Sequence, residues 1–277
     1  MWISQLFSDE YLASVVLRAF TVGVLVSLCA ALLGVILVLK RFSMIGDGLS
    51  HVGFGALALA TALGVGGAYA LEFSLPLVGV CSFALLWLTG KGKLKGDTAI
   101  GIISSAAMAG GVILYHLNGG MTADACNSLF GSASVLTLTE KDSIISIALS
   151  VAVIGLFLLF YRRIFAITFD ETFATACIGG VGGFRILLSL LTSVTVVVGM
   201  KMMGAVMISA MIIFPGVTAR KLCKSFQGVV TVSAVLSVVC YLVGFVAACL
   251  WGLPTGPCVV VANLAVYLLC SLKASLT

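Results

Sequence analysis

Long stretches without a single Asp, Glu, Lys or Arg dominate this chain and leave few folds open to it. They cover residues 19–39, 48–71, 73–90, 98–123, 143–161, 186–200, 202–219 and 225–272. Charged residues make up 9% of the whole, where a soluble domain carries about a quarter. About 20 apolar residues cross a bilayer core. The last stretch is long enough for two passes, with a break expected at "GLPTGP" (252–257). Residues 186–219 are short for two full spans, so a half-length or tilted helix is expected there. The expectation is an all-α, polytopic helical membrane protein with eight or nine transmembrane helices, forming a single domain over residues 1–277.

The basic residues suggest an orientation, because Lys and Arg accumulate on the cytoplasmic side of a membrane. Nine spans with the N-terminus outside give one side Lys40, Arg41, Lys91, Lys93, Lys95, Arg162, Arg163, Arg185, Arg220, Lys221, Lys224 and Lys273. The other side receives only Arg18, Lys141 and Lys201. This arrangement places the C-terminus, Asp170 and Glu171 inside, and Glu72, Asp124, Glu140 and Asp142 outside. The net charge of +5 thus follows from topology, and nothing points to nucleic acid. Asp9 and Glu10 precede the first basic residue, Arg18, which is the wrong order for a cleavable signal peptide. The nine cysteines lie mostly in apolar runs, with no CxxC and no Cys/His pair at zinc-finger spacing, and read as small hydrophobes.

Two connections are longer than the rest. Residues 117–142 are mildly apolar and rich in Gly and Ser, as in a re-entrant or interfacial piece. Residues 162–185 read "RRIFAITFDETFATACIGGVGGFR". Within them, 170–178 fits a short helix with acidic residues in its first turn and glycines past its end. Such a helix, held off the membrane, is a place for a partner to push; an ordinary amphipathic loop fits the pattern equally well. Gly53 with Gly55, and Gly110 with Gly111, are candidates for close helix contacts through small residues.

The chemistry concentrates in "RFSMIGDGLSHVGFG" (41–55). Asp47 and His51 stand at i and i+4, so on a helix both side chains leave one face about a turn apart. A carboxylate oxygen and an imidazole nitrogen so placed can share a divalent cation, and the pair suits zinc, manganese and iron(II). Asp47 lies about 9 Å along the helix from Arg41, and ionisable groups at such depth mark pathways. The alternative is that Asp47 caps the helix and His51 packs on a backbone carbonyl. His116, the other histidine, falls at the outer end of the fourth span beside Asn118, as an interfacial residue or part of an outer mouth. Met203, Met207 and Met211 repeat at four-residue spacing; they suit packing better than copper(I) coordination. No G-x-x-x-x-G-K-[ST] motif is present, and no chain of buried carboxylates. Energy for active transport would have to arrive from another subunit.

Six blocks, taken together and in order, resemble the permease subunits of bacterial ABC importers for zinc, manganese or iron. They are residues 41–55, "GDTAIGIISSAAMAGGVIL" (96–114), "SLFGSASVLT" (128–137), "FDETFATACIGG" (169–180), "MGAVMISAMIIFPGVTARKL" (203–222) and "LPTGPCVVV" (253–261). The resemblance implies a non-enzymatic, multi-pass conduit in the bacterial inner membrane. It implies cytoplasmic ATP-binding subunits, an extracytoplasmic metal-binding protein, and pairing with a second copy or a similar permease. Residues 169–180 would form the coupling helix, with Asp170, Glu171, Ala174 and Gly179 facing the ATPase. Asp47 and His51 would touch the passing ion, with no permanently bound cofactor. The family usually has alanine where this chain has Gly48, and often proline near Phe54; neither change touches the pair. Other readings are an iron-chelate permease, a self-sufficient secondary metal carrier, and an assembly protein without cargo.

Overall fold

The computed structural model describes residues 10–40, 42, 44–65, 69–90, 96–119, 126, 129, 140–169, 174–176 and 181–276. Ten helices carry them: α1 (Glu10–Leu39), α2 (Ile45–Ala62), α3 (Ala70–Gly90), α4 (Gly96–Leu117), α5 (Glu140–Leu159), α6 (Tyr161–Phe169), α7 (Val181–Met203), α8 (Ala205–Leu222), α9 (Phe226–Trp251) and α10 (Thr255–Leu276). No strand occurs among the described residues. Seven of the helices are long and apolar enough to cross a membrane. Two more are of spanning length. In α2, 18 residues long, Asp47, His51 and four glycines lower the apolarity. In α3, 21 residues long, Glu72–Leu85 is the apolar part. The protein is therefore a polytopic helical membrane protein, with seven candidate spans among the described residues where eight or nine were expected.

Helix ends follow local chemistry. The anticipated break after α9 is made by Gly252, left-handed at φ 64°, whose N–H returns to the Ala248 carbonyl. At the other end of α9 the Ser225 hydroxyl accepts the Gly228 N–H at 3.2 Å, an N-cap. Between α7 and α8 the chain reverses on Gly204 alone, at φ 88° and ψ 155°. That backbone region is open essentially only to glycine. Residues 186–219, short for two full spans, raise the expectation of a half-length or tilted helix, and neither helix is half-length. Instead α7 takes in Arg185 and Lys201 and reaches 23 residues, while α8 takes in Arg220 and Lys221 and reaches 18. Charged residues extend a helix past the apolar core, so uncharged length understates a span.

The connection at 162–185 also differs from the expected loop. Its first part is α6, with Ile164 and Ile167 buried at i and i+3 and Arg162 and Arg163 exposed. Aromatic rings hold it in place. Phe226, opening α9, meets Phe165 at 5.0 Å, Tyr161 at 5.5 Å and Phe169 at 5.9 Å between centroids. Phe184 of α7 meets Phe160 at 5.5 Å and lies 5.7 Å under the Arg163 guanidinium.

In the bundle α1 is the hub, packed on α5, α7, α8 and α9, while α2 packs on α3, α4, α7 and α8. Of the glycines expected at close contacts, Gly55 and Gly111 meet across α2 and α4: a Cβ on Gly111 would lie 3.1 Å from the Gly55 Cα. Gly53 faces Met200 of α7 instead, and Gly110 has nothing within 4 Å. Two ion pairs tie the first turn of α5 to its neighbours, Arg18 with Glu140 at 2.6 Å and Lys201 with Asp142 at 2.9 Å. All four residues belong to the sparse side of the charge distribution, and they meet at one end of the bundle.

Candidate functional site

The site is built on the first two turns of α2. Met44 is the N-cap residue and supplies no side-chain cap, so Asp47 stands inside the helix and does not cap it. A carboxylate is electrostatically favoured there by the exposed N–H groups of the first turn. His51 follows one turn later, its Nε2 3.6 Å from Asp47 Oδ2. That separation is longer than a hydrogen bond. Two ligands about 2.1 Å from one ion at the tetrahedral angle are about 3.4 Å apart. The free pair thus already has nearly the spacing that a shared cation requires.

Surroundings keep this pair reachable. The His51 side chain is 29% exposed and that of Asp47 46%. His51 Nδ1, by contrast, is enclosed and has no hydrogen-bond partner among the described residues. Packing of His51 on a backbone carbonyl, the alternative raised by the sequence, is therefore not what the structure contains. Behind the pair α2 is pressed against its neighbours by small residues. A Cβ on Gly46 would come within 2.9 Å of Ile212 Cδ1 of α8, and one on Gly48 within 2.5 Å of Ile100 Cγ2 of α4. Ile100 fills the room that a side chain at position 48 would need. Phe54, fully buried, packs on Tyr115 at 5.4 Å.

The other candidates are not brought to this place. The parallel packing of α2 on α4 sets Gly48 beside Ile100 and Gly55 beside Ala107. His116 is then on the order of 15 Å or more along the bundle from His51. It is exposed at the end of α4. Met203, Met207 and Met211 are all buried, and Gly204 divides them between α7 and α8. The Met211 sulfur accepts from Ser237 Oγ and Asn263 Nδ2, each at 3.6 Å, which is packing and not coordination. No group of three or more His, Cys, Asp or Glu able to hold a metal ion occurs among the described residues. Of the coupling candidates, Asp170, Glu171 and Gly179 lie outside the described residues. Ala174 is described: it is helical, fully buried, and clustered with Ile167 of α6 and Phe184 of α7.

Sequence reasoning missed three features. The ion pairs on α5 join residues far apart in the chain, so only charge signs hinted at them. The aromatic cluster around Phe226 draws on α6 and α9 and has no linear signature. Ser209 of α8 lies beside the Asp47 carboxylate, and one serine in an apolar run carries no signal of its own.

This architecture defines a multi-pass helical membrane protein with a two-residue polar site at the head of one helix. Residues 13–274 match the ABC 3 transport family, and the chain belongs to that family. Among curated relatives, a probable iron transport system membrane protein of Haemophilus influenzae is 30% identical over 97% of this chain and 95% of its own length. The high-affinity zinc uptake system membrane protein ZnuB of the same species is 26% identical, over 92% and 96%. The manganese transport system membrane protein MntC of Halalkalibacterium halodurans is 27% identical, over 94% and 86%. The same fold is present in PsaBC from Streptococcus pneumoniae, solved in complex with Fab, with a TM-score of 0.82, 24% identity, and coverage of 97% of this chain and 94% of that one.

Proposed function

We propose that this chain is the membrane-spanning permease of a binding-protein-dependent ABC importer that carries a divalent transition-metal ion, zinc, manganese or iron, into the cytoplasm. The observation that carries this reading is the Asp47–His51 pair, 3.6 Å apart and half-open on one face of α2. Family membership and the metals named in the curated relatives support the cargo class. The ion is a substrate held in passing. Two protein ligands strip part of its water yet leave positions open, so the ion is released where a closed four-ligand cage would retain it.

The remaining parts follow from the same reading. An extracytoplasmic metal-binding protein delivers the ion to the outer face. Two cytoplasmic ATP-binding subunits supply energy and push on the segment containing Asp170, Glu171, Ala174 and Gly179. The permease acts as a pair, with a second copy or a similar chain, in the bacterial inner membrane, its N-terminus outside and its C-terminus in the cytoplasm. The permease itself makes and breaks no covalent bond, and holds no permanent cofactor. His116 is left at the outer surface, with no part in ligation at the pair.

The test is uptake into proteoliposomes containing the permease, its ATPase and its binding protein, with zinc, manganese and iron(II) offered in competition. ATP-dependent uptake that His51→Ala and Asp47→Ala each reduce by about a hundredfold or more is the expected result. Uptake by this chain alone, indifferent to ATP, would make it a secondary carrier. Transport of an iron chelate but of no free ion would change the cargo, and no uptake of either would leave an assembly role.

A further inference from the structure

We propose that the Ser209 hydroxyl of α8 is a third donor to the cation held at Asp47 and His51, and that it tilts the ion preference of the site toward oxygen-seeking metals. This inference rests on the proposed transport reading of that site. The packing of α8 on α2 brings the residue there. Ile212 sits on Gly46, whose Cβ position is 2.9 Å from Ile212 Cδ1. Ser209 is one turn earlier on the same face of α8 as Ile212. Its hydroxyl therefore faces the next turn of α2, beside the Asp47 carboxylate. The single hydroxyl proton can go to the Val206 carbonyl at 3.0 Å or to the Asp47 carboxylate, and in either case the oxygen keeps a lone pair for an ion. Ser209, like the pair, is only partly buried, and Ile208, Ala210 and Met211 around it are buried and apolar. It is the one side-chain donor that α8 brings to this end of α2.

Three donors from two helices differ in kind from two donors on one. A carboxylate, an imidazole and an alcohol bind an ion weakly enough to release it, and an added neutral oxygen favours manganese or iron(II) over zinc relative to the pair alone. Spacing also changes: an ion touching α2 and α8 together senses their relative movement, so separating the helices removes a ligand and promotes release.

The experiment uses the full transporter in proteoliposomes with manganese and zinc in competition, comparing wild type with Ser209→Thr, Ser209→Ala and Ser209→Cys. Thr should keep the wild-type manganese-to-zinc uptake ratio. Ala should lower that ratio about threefold or more, and Cys about tenfold, because thiolate selects zinc. A second readout does not depend on transport. Cobalt(II) added to the purified Ser209→Cys permease should give a thiolate charge-transfer band above that of wild type, which carries the nine native cysteines, and Asp47→Ala should remove it. Ratios within twofold of wild type in both Ala and Cys, or no added band, would overturn the role of Ser209 while a defective Asp47→Ala variant still upheld the pair. Normal uptake by Asp47→Ala would remove the pair and this inference together.

Discussion

The head of α2 and the foot of α9 both interrupt the aliphatic pattern of the bundle, and they do so in opposite ways. At Asp47 and His51 the neighbours are glycines, aliphatic side chains and Ser209, the pair stays partly open, and one ring nitrogen has no partner among the described residues. At Phe226 three helices are joined by rings: Tyr161, Phe165 and Phe169 of α6 close on it directly, and Phe184 of α7 extends the contact to Arg163. Polar ligands that are left partly open between helices can change partners as the helices move. Rings packed edge to face contribute about 0.5–1.5 kcal/mol per pair and resist separation. The first region suits a step in a pathway, the second a strut that keeps its shape under load. The strut also reaches Ala174, which packs on Ile167 and Phe184 inside that same group of helices.

Three substitutions test the contrast. Replacing Asp47 or His51 by alanine has the largest effect, loss of about a hundredfold or more of ATP-driven uptake, with thermal stability in detergent almost unchanged because neither side chain is fully buried. A large loss of stability in those variants would mean that the pair is structural. Phe226→Ala reverses the pattern. Removal of a ring that is 8% exposed should cost about 3 kcal/mol of stability, seen as a lower melting temperature of the purified permease. An unchanged melting temperature would show that the rings are in contact without cementing anything.

Smaller effects sharpen the outer boundary of the comparison. Lys201→Ala leaves Asp142 without its partner at a site where the two side chains are 20% and 14% exposed, and should cost about 1–2 kcal/mol. Restoring stability with Asp142→Asn in the same chain would assign that loss to the unpaired charge. The least disruptive change is Gly110→Ala, where nothing lies within 4 Å of the new methyl group, and a gain of about 0.5 kcal/mol is expected from helix propensity. Gly55→Ala, whose Cβ would meet the Ala107 carbonyl at 2.8 Å, should instead destabilise. If the two glycines behaved alike, the close contact of α2 with α4 would not be what selects small residues.

Much of the fold was legible because the bilayer requires long apolar runs, and those runs lie in the open in a linear sequence. The Gly252 break and the Asp47–His51 pair were legible for the same reason: each is a local feature, a turn chemistry or an i, i+4 spacing. The two histidines show the limit. His51 and His116 are equally conspicuous in sequence, yet the register of α2 on α4 places one beside the carboxylate and the other at an exposed helix end. Four expected glycine contacts likewise resolved into one mutual contact, one methionine contact and one open position.

Composition, hydrophobic spacing and short-range motifs alone determined that this is an all-helical membrane chain, that it breaks near Gly252, and that one helix carries a carboxylate and an imidazole on one face. These properties depend on transfer of residues into an apolar medium and on the fixed pitch of the helix, both of which act locally. Tertiary structure alone decided that Ser209 stands beside Asp47, that Lys201 finds Asp142, and that Phe226 binds α6 to the bundle. Those pairings arise from how side chains of distant segments interlock, and a close-packed interior settles that only when the helices are assembled.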